Sequence, residues 1–228
     1  MVKKRYDTFL AMATYCILIT CAISGQNLIN VFGLTVTSGM FVFPFTYMFI
    51  AASTELYGAQ TTRQTIIYCT AANAVMLGVI FLFTQIPSER SAIGSAEVYH
   101  AFLNRFSYVL GISTLAFAIS ENVNVWLLSR LKVLTHGRLF IQRAFLSTVC
   151  AVTLDTMLVF PFYFSRQGSF SQAAMEASMV LGMKIFYDIA LLPLCWGMVA
   201  CIKSITAAPT LPQSATPFTS SYYLKQYD

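Results

Sequence analysis

Six apolar stretches run along the chain, and short segments carrying most of its charges separate them. They cover roughly residues 8–28, 34–57, 64–86, 106–130, 139–164 and 177–203, each near the ~20 residues a helix needs to cross the hydrocarbon core of a bilayer. Within them apolar residues occupy every face. A transmembrane barrel would alternate polar and apolar positions instead. Helices satisfy their own backbone hydrogen bonds in lipid. The pattern therefore predicts an all-α membrane protein: a bundle of six transmembrane helices over residues 8–204. A basic segment, 1–7, precedes it, and a Pro/Ser/Thr-rich tail, 205–228, follows and is expected to be flexible. The second stretch, "LTVTSGMFVFPFTYMFIAASTELY", contains Gly39 and Pro44 and is expected to be kinked, re-entrant or partly unwound. The first follows basic residues, as a signal peptide does. It runs well past a signal core with no small-residue cleavage site, so it is read as a retained helix.

Composition narrows the classes. The 228 residues are 57% hydrophobic and 10% charged, against about 25% charged in soluble domains. Little length remains for a soluble domain. The formal net charge of +5 reads as topology and not as nucleic-acid binding. With the chain's start inside, cytoplasmic segments carry Lys3, Lys4, Arg5, Arg63, Arg130, Lys132, Arg138, Arg143, Lys203 and Lys225. The opposite side carries only Arg90, Arg105 and Arg166. Both termini are thus expected in the cytoplasm. The six cysteines lie in apolar runs without CxxC or Cys/His metal spacing, and His100 and His136 have no ligand spacing either. There is no Gly-rich phosphate loop and no GxSxG or SxxK context. No metal, no cofactor and no enzymatic activity are expected.

Five ionisable residues interrupt the oil: Glu55, Glu121, Asp155, Lys184 and Asp188. A charge at the bilayer centre costs about 3 kcal/mol on insertion scales, so such residues turn inward, pair, and mark substrate or ion paths. Lys184 and Asp188 are four apart and share a helix face. They neutralise each other, or one is shared with Glu121 or Asp155 on another helix. The rival reading is structural: an i,i+4 pair stabilises a buried helix, and a charge near a membrane end snorkels. Asn122 and Asn124 flank Glu121 and add polarity to the fourth run. Aromatic residues of the second run, Phe45, Tyr47 and Tyr57 among them, serve either as packing or as a face on which a planar ring stacks.

The segment "FGLTVTSGMFVFPFTYMFIAASTELYG" resembles the queuosine precursor transporter family, also called the vitamin-uptake-transporter-like (VUT) family. The matching motifs are Gly33-Leu34-Thr35-Val36, Phe43-Pro44-Phe45-Thr46-Tyr47 and Thr54-Glu55-Leu56-Tyr57-Gly58, followed by Arg63. "SRLKVLTHGR" resembles the family's basic loop after the fourth helix. Arg143, Ser147, Thr148, Asp155 and Thr156 match its fifth-helix pattern, and Lys184, Tyr187, Asp188 (where Glu is usual) and Pro193 its sixth. The chain departs at Ala51, where Asp is usual, at Glu121 for Gln, and at Ala151-Val152 for Gly-Gln.

The resemblance implies an importer in the bacterial inner membrane that salvages a 7-deazaguanine precursor of queuosine, or queuine itself, for tRNA modification. It also implies a distant likeness to six-helix substrate-binding S-components of energy-coupling-factor transporters. The alternative is therefore a binding module for a vitamin-like heterocycle served by an energising membrane partner. Homo-oligomerisation stays open. For a guanine-like ligand, Glu55 is expected to accept the ring N–H and 2-amino donors, with Asp155 second in line. Lys184, held by Asp188, would donate to the ring carbonyl. Tyr47, Phe45 or Tyr57 would stack on the ring. Glu121, beside Asn124, would offset a ligand amine.

Overall fold

The computed structural model describes residues 2–31, 34–86, 95–167 and 169–206. Six long helices, α1 (Val2–Ser24), α2 (Pro44–Tyr57), α3 (Ala59–Thr84), α4 (Ala96–Leu134), α5 (Phe140–Gln167) and α6 (Phe170–Thr206), make up the bundle. With the short 3₁₀ turn Ser38–Phe41 that leads into α2, all six are long and apolar enough to cross a membrane. Most of the 205–228 tail lies outside the described residues. α1 begins at Val2, so the basic segment 1–7 runs continuously into the first helix, whose apolar span is Tyr6–Ser24.

The second span is broken. α2 has 14 residues, about 21 Å at 1.5 Å per residue, too short alone for a core about 30 Å thick. The 3₁₀ turn extends it. Residues 34–37, expected to be helical, instead form a strand: β1 (Leu28–Val31) pairs antiparallel with β2 (Leu34–Thr37), Leu28 opposite Thr37 and Val31 opposite Leu34. The β-branched run Ile29, Val31, Thr35, Val36, Thr37 favours extended backbone. Ser38 ties the hairpin's exit to α1, its Oγ donating to the Ser24 carbonyl at 2.6 Å. Pro44 stands at the start of α2, where a missing N–H costs nothing. Gly58, at φ 91°, ends α2 and lets α3 begin one residue later.

α2 is the most buried span and packs against α1, α3, α4 and α6. Around it, α3 lies on α4, α4 on α5, and α5 on α6. Ile67, Tyr68, Val75, Phe81 and Leu82 of α3 point outward, as lipid-facing residues do. α4 and α6 have 39 and 37 residues and outrun the expected spans at their N-terminal ends. Polar residues there (Glu97, His100, Asn104, Arg105, Glu176) hide the helix from an apolar pattern without breaking it. The bundle brings the start of α1 and the end of α6 to one end. Tyr57, closing α2, is within electrostatic range of Tyr6 and Asp7, while Glu55 reaches Lys203.

Candidate functional site

Lys184 of α6 and Asp155 of α5 meet inside the bundle, Nζ to Oδ2 at 2.6 Å. Both are buried. The sixth run carries the cation and the fifth the carboxylate, and each escapes lipid by turning toward the helix packed beside it. The Lys184 ammonium also lies over the Phe43 ring, 4.9 Å from its centroid, within range of a cation–π attraction.

This pair forms part of the wall of a cavity of about 100 Å³. Leu18 and Cys21 of α1, Gly39 and Met40 of the 3₁₀ turn, Asn73 of α3 and Thr114 of α4 are among its other lining residues, most of which are apolar. Asn73 Oδ1 and Thr114 Oγ1 are buried and have no hydrogen-bond partner among the described residues. Leaving a buried polar atom unsatisfied costs about 1–3 kcal/mol, so two of them on one cavity wall suit a polar occupant. The broken span gives this wall its shape. Gly39 passes so close to α1 that a Cβ there would stand 2.8 Å from the Cys21 carbonyl oxygen. Cys21 Sγ in turn donates to the Gly39 carbonyl at 3.3 Å.

A second polar layer adjoins the cavity. Tyr47, Glu121, Asn124 and Asp188 are all buried. Asn124 Nδ2 donates to Glu121 Oε2 at 2.9 Å. Glu121 Oε1, Asn124 Oδ1 and Asp188 Oδ2 have no hydrogen-bond partner among the described residues, and Tyr47 Oη points toward Ser120. Tyr47 packs edge-to-face on Phe43, centroids 5.3 Å apart. Beyond it, Tyr47, Ala51, Thr148, Asp188 and Cys195 border a smaller space of about 20 Å³.

Six of the nine sequence-derived candidates thus come together: Tyr47, Glu121, Asn124, Asp155, Lys184 and Asp188. The other three do not. Glu55 lines neither space. It sits at the end of α2 among three cations: Lys132 and Arg143 on Oε2 at 3.2 and 3.4 Å, and Lys203 on Oε1 at 3.2 Å. A carboxylate satisfied in this way has little capacity left for a ligand's donors. Phe45 packs with the apolar cluster around Met48, Leu128 and Val199, and Tyr57 is at the bundle's end, within electrostatic range of Tyr6 and Asp7. Lys184 is tied to Asp155 on the neighbouring helix, one of the pairings the sequence left open, and not to Asp188, which the ligand scheme had holding it.

Sequence reasoning missed Phe43, Asn73 and Thr114. Phe43 was visible within the Phe-Pro motif, and Asn73 stood out as a lone amide in "TAANAVML". Thr114 gave no signal, because threonines satisfy themselves on many membrane helices.

A broken central span, a partly open cavity carrying an ion pair on its wall and six helices long enough to cross a bilayer suit a multi-pass membrane transporter. The family model described as "Putative vitamin uptake transporter" matches residues 37–198. The chain belongs to that family, and it is a transporter and not an enzyme. The match runs from the 3₁₀ turn through most of α6, taking in every cavity residue named above except the two from α1. Neither a curated protein nor a solved structure matches the chain.

Proposed function

We propose that the protein imports a 7-deazaguanine precursor of queuosine, or queuine, for salvage into tRNA. The end carrying Glu55 and its cations would face the cytoplasm of a bacterium, as the positive-inside rule has it. One observation supports the substrate class most directly: an ion pair and an aromatic face lie together on the wall of an interior cavity. A guanine-like edge presents two adjacent donors, which one carboxylate accepts in a forked geometry. Asp155 takes that part. Lys184 donates to the ring carbonyl, Phe43 supplies the stacking face, and Asn73 and Thr114 bind the remaining polar atoms. Glu121 and Asp188 place two further carboxyl groups nearby, which suits a ligand bearing an amine.

An apolar cavity of about 150 Å³ takes up benzene, so a bicyclic ring requires the walls to part. The 3₁₀ turn, with Thr37 before it, is the portion of wall not built on a long helix, and it is the segment that gives.

Competition uptake tests the reading, in cells lacking their own deazaguanine synthesis. Queuine and its cyano and aminomethyl precursors are expected to compete, and guanine to compete weakly. Equal competition by guanine, or none by any deazaguanine, overturns it. Phe43→Leu keeps the apolar bulk and removes the ring. Losing a ring contact worth about 0.5–2 kcal/mol, it is expected to weaken uptake affinity roughly 2- to 30-fold, read as a rise in half-saturating concentration. Uptake into liposomes holding only this chain separates a self-sufficient carrier from a binding module served by an energising partner.

A further inference from the structure

Three helices meet the same three features in the same order. On α2, Phe43 lines the main cavity, Tyr47 and Ala51 line the smaller space, and Glu55 joins the cation cluster. These residues are spaced by four, so they form one stripe along the helix. On α6 the order is Lys184, then Asp188 and Cys195, then Lys203. On α5, running the opposite way, it is Asp155, then Thr148 and Ala144, then Arg143. The main cavity, the smaller space and the cluster are therefore met in that order along the shared direction of α2, α5 and α6, although α1, α3 and α4 also wall the main cavity.

We propose that this axis is the translocation route. Tyr47 is the barrier between the two spaces, and the Glu55 cluster is the latch that closes the far end. The inference rests on the transport reading of the main cavity and adds the path out of it. Glu55 is placed for the role. A single carboxylate at the end of α2 holds Lys132 of α4, Arg143 of α5 and Lys203 of α6. Two of those helices border the smaller space. Arg143 is buried and fixed to its own loop, its Nε donating to the Arg138 carbonyl at 2.9 Å. Lys203 is an exposed arm, and an exposed ion pair contributes little and exchanges readily. Releasing Glu55 frees α5 and α6 to part around the smaller space. The main cavity lies toward the opposite end, beside the last turns of α1. Opening one end while the other stays shut is what a carrier requires.

The chain's own thiols report each station. Cys21 lines the main cavity, Cys195 lines the smaller space, and Cys69 is buried in the core and lines neither. Proteins retaining one of these cysteines each are labelled in membrane vesicles with an impermeant maleimide, applied to either face. With Glu55 intact, Cys21 is expected to label from the face opposite the chain's start, and Cys195 to stay closed. Glu55→Gln is expected to raise Cys195 labelling about fivefold or more, from the face bearing the chain's start, and to lower that of Cys21. Cys69 should stay unlabelled. Unchanged Cys195 labelling, or a rise from the opposite face, overturns the proposal. If Cys69 becomes reactive, the variant has loosened the whole fold. Lys203→Ala, which removes only the exposed arm, is then read by the same criteria. The assay needs no substrate, so its failure is distinct from a failure of the deazaguanine reading.

Discussion

Lys184→Met is expected to abolish uptake and to destabilise the protein by about 3–5 kcal/mol, the usual cost of removing one partner of a buried ion pair. The side chain is of similar length, so the loss is one of charge and hydrogen bonding and not of volume. Without the ammonium, Asp155, Glu121 and Asp188 remain buried with no ion-pair partner among the described residues. The double variant Asp155→Asn with Lys184→Met removes the stranded charge along with its partner. It is expected to regain most of the stability, because the two residues touch and their effects do not add. It should not regain uptake, because neither the forked acceptor nor the donor to the ring carbonyl is present. Thermal unfolding in detergent, paired with uptake at equal expression, separates the two roles. Uptake within twofold of the parent in Lys184→Met would remove this pair from the ligand site.

Gly39→Val should have the next largest effect, and its origin is steric. The new Cβ would stand 2.8 Å from the Cys21 carbonyl oxygen, 3.1 Å from Cys21 Sγ and 3.2 Å from the Gly25 nitrogen. Two of these three are backbone atoms and cannot swing away. The 3₁₀ turn must therefore lift off α1, breaking the Cys21–Gly39 hydrogen bond and displacing Met40 and Phe43 from the cavity wall. Overpacking of this kind costs about 1–3 kcal/mol. Uptake should fall further than stability, because Phe43 carries the aromatic face beside Lys184. Adding Cys21→Ala removes only the sulfur contact and is expected not to rescue. Full rescue would mean that the thiol, and not the backbone, sets the spacing.

Parts of the fold were legible because lipid is a severe solvent. Six runs long enough to cross, apolar on every side, leave helices as the economical answer. The broken second span was legible too, since Gly39 and Pro44 stand in an otherwise continuous run. The hairpin was not. "LTVT" is as apolar as the helix it precedes, and only its β-branched content argues for a strand. The N-terminal extensions of α4 and α6 were hidden for the opposite reason: their polar residues are helical but do not read as membrane.

The sequence by itself determined that the charges of the last two runs must turn inward, because hydrocarbon penalises them wherever the helices go. It therefore placed Asp155 and Lys184 in the interior. The tertiary structure alone decided which carboxylate meets which cation. Four-residue spacing shows that Lys184 and Asp188 share a face, but not what that face looks at. The rotation and register of α5 against α6 bring Asp155 to the ammonium and leave Asp188 Oδ2 without a hydrogen bond. By the same logic Glu55, in the most recognisable motif of the chain, finds its three cations on α4, α5 and α6. Such pairings arise between residues far apart in the chain, so they depend on how the helices pack and not on local spacing.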